Sequence, residues 1–160
     1  MAVIDSSVLI LLARINRLTL LEKYFKKVII TRDIYDEIKI GVGANDIKKA
    51  CEYWIKVEDP KHSDEVNNLS NLENLEKADA SIIVLSKEKS KILLSNDYAL
   101  IMVARSKGIE CWWLTTFILR CLQKKILKKV EAKQVLFELI EAGMRLSNEV
   151  YAAILKEIDN

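Results

Sequence analysis

Short apolar or β-branched runs punctuate the chain at 2–4 (AVI), 28–31 (VIIT), 54–57 (WIKV), 91–95 (KILLS) and 109–114 (IECWWL). Several are apolar at adjacent as well as alternate positions, as strands buried on both faces are, and longer stretches of helical period separate them. That alternation predicts an α/β protein: a three-layer α/β/α sandwich around a central parallel sheet of about five strands. Helices are expected over 6–14, 17–25, 32–40, 44–52, 75–88 and 97–107, with Gly108 in the usual place of a left-handed cap. Further on, Ala132, Val135, Leu136, Leu139 and Ile140 follow helical spacing up to Gly143. Ser147 then caps a last helix carrying Val150, Tyr151, Ile154, Leu155 and Ile158. The chain reads as one domain over 1–160, in which 130–160 is a helical hairpin packed on the sheet domain or on a second subunit. The segment DPKHSDEVNNLSNLEN at 59–74 is expected to be a loop or a short, loosely attached helix.

Composition narrows the chemistry. With 51% hydrophobic and 30% charged residues in 160, the chain can bury a sizeable core without a metal or disulfide staple. No apolar run approaches the roughly 20 residues that span a bilayer, and the start lacks a secretory pattern, so a soluble cytoplasmic protein without a membrane partner is expected. Cys51, Cys111 and Cys121 show no C-x-x-C spacing and read as buried thiols. His62 alone, in a polar stretch, is a poor base for a nucleophilic triad. Gly41, Gly43, Gly108 and Gly143 make no phosphate-binding loop. The net charge of +2 is unevenly spread: acids crowd 57–79, whereas 120–133 reads as a basic helix with Arg120, Lys124, Lys125, Lys128, Lys129 and Lys133. Each is the ordinary pattern of a solvated face, and the pair also suits a metal-dependent nuclease. Trp112 and Trp113 read as packing against the sheet and not as a stacking platform for bases.

Ligands of an open parallel sheet bind beyond the carboxyl ends of its strands. Asp5 follows the first run directly, and Asp97 follows KILLS after one intervening residue; helix capping would explain either alone. Glu37 borders the apolar stripe of Ile34 and Ile38, with Asp33 and Asp36 as neighbours. Asp79 falls inside the stripe of Leu75, Ala78, Ile82, Ile83 and Ser86. A carboxylate there loses several kcal/mol of solvation, and a first-turn position returns only about 0.3–1 kcal/mol. A cation, a metal or an exposed cleft must supply the rest. Four such acids in one cleft would repel one another, and a hard divalent ion such as Mg²⁺ resolves that conflict and suits phosphodiester hydrolysis.

The stretch VIDSSVLILLARINRLTLLEKYFKKVIITRDIYDEI resembles the opening of PIN-domain ribonucleases, particularly the VapC-like toxins. LEKADASII is similar to that family's acidic helix start, LLSNDYAL to its LLTxD motif, and AGMRLSNEVYAAILKEI to the tail of one prokaryotic subgroup. The resemblance implies an acidic site of Asp5, Glu37, Asp79 and Asp97, with Ser6, Ser7 and Ser95 in support. It further implies Mg²⁺ or Mn²⁺ held by Asp5, Asp79 and Asp97, directly or through water, with Glu37 orienting the attacking water or completing the cage. The function implied is endoribonuclease activity as the toxin of a toxin–antitoxin pair, with RNA as substrate, an antitoxin as protein partner, a homodimeric state, and Arg120, Lys124, Lys125 and Lys128 as contacts to RNA or partner. Ala78 replaces a frequent glycine and Ser81 a further acid, so a weak or inactive PIN module that binds RNA or a protein is the alternative. A receiver-like α/β domain, with Asp59 as phosphoacceptor, is the more distant rival.

Overall fold

Five three-residue runs carry the sheet in the computed structural model, which describes residues 1–160. They are β1 (Ala2–Ile4), β2 (Val28–Ile30), β3 (Ile55–Val57), β4 (Leu93–Ser95) and β5 (Cys111–Trp113). All pair in parallel, in the order β3-β2-β1-β4-β5. Every residue of β1, β2 and β4 is buried, whereas the edge strands β3 and β5 leave Lys56 exposed and Trp112 and Trp113 half-buried. That gradient is what a sheet covered by helices on both faces requires. The chain moves outward from β1 to β2 and β3, then returns across β1 to β4. The strand order therefore reverses between β1 and β4, where the crevice of a doubly wound sheet opens.

The helices are α1 (Ser6–Arg14), α2 (Thr19–Phe25), α3 (Arg32–Ile38), α4 (Ala44–Tyr53), α5 (Ser63–Glu73), α6 (Lys77–Lys89), α7 (Tyr98–Ser106), α8 (Leu114–Gln123), α9 (Lys129–Glu141) and α10 (Asn148–Asp159). Gly108 ends the α7 turn at φ +79°, and the Ser147 hydroxyl accepts the Val150 N–H at 3.2 Å, as their positions in the sequence suggest. One apolar cluster runs from Ala2 in β1 to Ile158 in α10, so Val135, Leu136, Leu139 and Ile154 share the core of the sheet. No helix is long and apolar enough to cross a membrane.

Two expectations are corrected. The 59–74 segment is neither loop nor loosely held, because α5 packs Val66 and Leu69 against Ala80 and Val84 of α6. Glu88 adds a clamp by accepting the backbone N–H groups of Lys61 and His62 at 3.0 Å each. The basic helix over 120–133 does not exist as one element. Leu114, Phe117, Ile118 and Cys121 bury one face of α8, which ends at Gln123, and Lys125 turns the chain at φ +59° before α9 begins. Lys128 opens α9, its N–H donating to Glu131 Oε2 at 2.8 Å.

Candidate active site

Asp5 leaves β1 at the crevice, its N–H donating to Leu94 O of β4 at 3.0 Å. It occupies the position before α1, yet its side chain makes no capping bond to that helix. Instead the carboxylate, only 3% exposed, collects hydroxyls: Ser7 Oγ donates to Oδ2 at 2.5 Å and Ser95 Oγ to the same oxygen at 2.8 Å, while Ser6 Oγ lies 3.4 Å from Oδ1. Those hydroxyls are themselves held. Ser7 Oγ accepts the Asn96 N–H at 3.2 Å and Ser95 Oγ the Asp97 N–H at 3.0 Å. The β4–α7 turn is thereby stitched to Asp5, and Oδ2 is fully engaged while Oδ1 keeps only the long Ser6 contact. A buried carboxylate without donors is costly, and here two neutral donors restrain it without cancelling its charge.

Asp97 takes the capping role weighed from the sequence. Its Oδ1 accepts the Leu100 N–H at 2.9 Å and caps α7, and the residue remains exposed. Asp79 sits half-buried in the first turn of α6, with Ala78, Ile82 and Ile83 buried beside it. Burial above all, and then the negative charges of Asp5, Asp97, Glu37 and Glu76, push its carboxyl up to about 7. Glu37 stands on the exposed rim of α3, and its carboxyl is raised by loss of solvation against a Ser6 hydrogen bond, with Asp5, Glu76 and Asp33 adding to the rise. The four expected acids thus act on one another electrostatically. None of the seven ion pairs in the protein includes any of them.

The sequence matches a family model described as a PIN domain across residues 1–160. The chain belongs to the PIN-domain family. A solved structure, PAE2754 from the archaeon Pyrobaculum aerophilum, superposes on this PIN domain with a TM-score of 0.51 at 24% identity, over 69% of this chain and 89% of that one. The likeness extends to the fold alone. No curated protein matches the sequence. PIN domains are generally nucleases, typically employing divalent metals.

Sequence reasoning missed two members of the site. Glu76, immediately before α6, adds a fifth negative charge that raises Asp79 and Glu37. Thr31 leaves β2 and caps α3 by accepting the Ile34 N–H at 3.3 Å, while its Oγ1 lies 2.8 Å from Ser81 Oγ of α6. Ser81 also donates to Ala78 O at 2.6 Å, and both hydroxyl residues are fully buried. A neutral pair therefore spaces the helices that carry Glu37 and Asp79, and a further acid at position 81 would have to be buried beside them. Thr31 follows an apolar run and opens a helix, as Asp5 does, which is the signal that could have found it.

This PIN domain brings no three acids together in a preformed metal cage. Coordination by three carboxylates is accordingly not built in, although the donor set still suits Mg²⁺, which keeps several waters and takes one or two carboxylates. None of Arg120, Lys124, Lys125 and Lys128 forms an ion pair with the four acids, and Lys124 lies elsewhere. Lys124, with Lys91, stands close enough to the Met1 amine to help lower its pKa, after burial. Met1 precedes β1 and Lys91 precedes β4, so Lys124 belongs to the amino edge of the sheet, opposite Asp5. The Arg120 guanidinium covers the Trp112 ring at 5.3 Å and the Lys124 ammonium the Tyr24 ring at 3.9 Å. Trp112 thus packs at that edge with Tyr24 and Phe25, as expected, whereas Trp113 stacks on the exposed Tyr98 next to Asp97. His62 is spoken for by Glu88 at 2.8 Å, and burial raises the thiols of Cys51 and Cys111 to about 11 and of Cys121 to about 12, far from nucleophilic. The receiver-like rival also falls, since Asp59 follows the edge strand β3 while Asp5 follows the middle one.

Proposed function

We propose that this PIN domain is a Mg²⁺- or Mn²⁺-dependent endoribonuclease and the VapC-like toxin of a toxin–antitoxin pair. The observation that carries the reading is a buried, hydroxyl-restrained Asp5 at the strand-order switch, joined by Asp79, Glu37 and Asp97 without a single basic partner. Asp5 through its less engaged Oδ1, together with Asp79 and the free oxygen of Asp97, would hold the ion through direct and water-bridged contacts. When bound, such an ion polarises the scissile phosphate and makes a water acidic enough to attack near neutral pH. Glu37, whose exposed position on the rim and raised pKa support the role, would take a proton from the attacking water. Water would add to phosphorus in line with the leaving ribose 3′-oxygen, the P–O3′ bond would break with that oxygen taking a proton from solvent water, and the product would keep a 5′-phosphate. Ser7 and Ser95 hold Asp5 still throughout, so its oxygen need not reorganise as charge builds on the phosphate.

One observation favours the alternative of a PIN module that binds RNA or a protein without turnover, namely the lack of a preformed three-carboxylate cage. Calorimetric titration of Mn²⁺ together with cleavage of a mixed RNA pool separates the readings. Metal-dependent cleavage that Asp5→Asn abolishes supports the nuclease; activity surviving both Asp5→Asn and EDTA overturns it, and absence of metal binding favours the binding module. The antitoxin partner and the homodimer are further proposals, tested by co-purification with the product of an adjacent short gene and by sedimentation of the free chain.

A further inference from the structure

A cleft of about 330 Å³, lined by none of the four acids, opens over the carboxyl ends of β2 and β3. Its walls come from three helices, of which α3 and α6 carry acids of the site and α5 carries none. Arg32 and Asp33 begin α3, the helix of Glu37; Lys77 and Ser81 lie one turn apart on α6, on the face opposite Asp79; Ser63 and Asn67 lie one turn apart on α5. The volume is at the lower end of the ~300–1,000 Å³ usual for small-molecule sites, enough for one nucleotide and too small for a duplex. Two of its side chains are exposed cations, and neither Arg32 nor Lys77 belongs to any of the seven ion pairs although Asp33 and Asp59 line the same cleft. Asp59 is occupied with the backbone N–H of Arg32 at 2.8 Å, and the Arg32 guanidinium rests 5.3 Å from the centre of the Tyr35 ring. Arg32 is thus held in place, and neither it nor Lys77 is committed to an ion pair that would compete with an anion arriving from outside. The exposed Asn67 amide and Ser63 hydroxyl, by contrast, offer the mixed donors and acceptors that a base edge or a ribose hydroxyl requires.

We propose that this cleft is the subsite for the RNA nucleotide adjoining the scissile phosphate, with Arg32 and Lys77 taking its phosphate and Asn67 on α5 reading its base. The proposal rests on the nuclease reading above. It makes α5 the specificity-determining wall of the site. Arg32 and Lys77 bind the substrate next to the acids while staying outside the acid cluster, so the substrate's charge is met locally and the basic amino edge is not needed for it.

Binding of a short fluorescein-labelled RNA of mixed sequence to the full chain carrying Asp5→Asn, in EDTA, isolates this step from metal and cleavage. Arg32→Gln and Lys77→Gln should each weaken binding several-fold and lower the slope of log affinity against log salt by about 0.7, the value for one phosphate contact on a single strand. Arg32→Lys should restore most of the affinity, and the thermal midpoints should not move. In the otherwise wild-type chain, Asn67→Ala should relax the base preference at one position beside the cut, read by sequencing products of a random pool. RNA bound or cleaved normally by the Arg32→Gln, Lys77→Gln double variant overturns the subsite and leaves the nuclease standing. Displacement of the RNA by an equal charge of polyglutamate, with no base preference in cleavage, also overturns it in favour of an acidic peptide. A wild-type chain that neither binds nor cleaves RNA removes the nuclease reading and the subsite together.

Discussion

The two edges of the sheet make opposite use of the same architecture. At the carboxyl edge, Asp79 is half-buried among like charges and its carboxyl is raised; at the amino edge, the Met1 amine is part-buried near Lys91 and Lys124 and its pKa is lowered. In both places burial is the larger cause and neighbouring charge of the same sign the smaller. The α/β fold itself favours this polarity, because helices following parallel strands start at the carboxyl edge, where their dipoles favour anions, and end at the amino edge, where they favour cations. Sign alone is therefore weak evidence for function. The difference lies in restraint: Asp5 is buried and fixed by Ser7 and Ser95, while Lys91 and Lys124 are exposed and outside every ion pair. Only the acidic edge holds a buried charge, that of Asp5, in a set of hydroxyl hydrogen bonds.

That contrast breaks most sharply at Asp5. Asp5→Asn retains an oxygen for the two serine hydroxyls but loses the charge, and RNA cleavage should fall on the order of 10²-fold or more, the scale of one positioned catalytic group. An unchanged circular dichroism melt beside the loss would place the effect in chemistry. Ser95→Ala comes next. It strips one donor from the buried Oδ2 and the acceptor of the Asp97 N–H, and should cost about 1–3 kcal/mol in urea unfolding, with a smaller fall in cleavage than Asp5→Asn. A loss of cleavage equal to that of Asp5→Asn would mean that the hydroxyl, and not the carboxylate, is the group the site depends on.

Asp79 offers a subtler comparison through pH. Its ordinary value is 3.8 and its folded value about 7, so between the two the folded chain keeps a proton that the unfolded chain has released. Stability contributed by this group is accordingly greatest at the acid end of the window and is lost as pH rises towards the folded value. In EDTA, Asp79→Asn should remove that decline, and the urea midpoints at the two ends of the window should draw together. The smallest effect belongs to the amino edge. Lys91→Gln or Lys124→Gln should move the Met1 amine back towards 8.0, as read by NMR titration, while altering stability by less than about 0.5 kcal/mol and cleavage not at all. A large drop in RNA binding from either change would make both edges functional.

Much of this was legible in the residues. The five strands and the acids at 5 and 97 follow from short apolar runs ending in side chains that such runs have no reason to contain, whereas the strand order, and so its reversal between β1 and β4, came only with the structure. Asp79 was visible because a charge interrupts an apolar face. The elements that escaped had thin patterns: α5 buries Val66 and little else of its own, and Leu72 points an apolar side chain into solvent. Missing α8 had a larger consequence. A ten-residue helix is about 15 Å long, so Lys124 at its end is carried away from the edge where the helix begins. The basic residues were read as neighbours of the acids because that length was not counted. Thr31 and Glu76 stayed hidden for another reason: their contribution depends on which helix lies across from them, and a linear pattern does not contain that.

The Thr31–Ser81 contact bears on how this protein can change over generations. Losing the Thr31 hydroxyl strips the cap from the buried Ile34 N–H and leaves Ser81 only its bond to Ala78 O, whereas losing the Ser81 hydroxyl leaves the Thr31 proton without an acceptor in the core. The two positions should therefore drift as a couple, and a double-mutant cycle should return a coupling of about 0.5–3 kcal/mol. Where a lineage exchanges them together, the distance between Glu37 and Asp79 becomes free to reset, giving the site a route to new tolerances that leaves every acid in place.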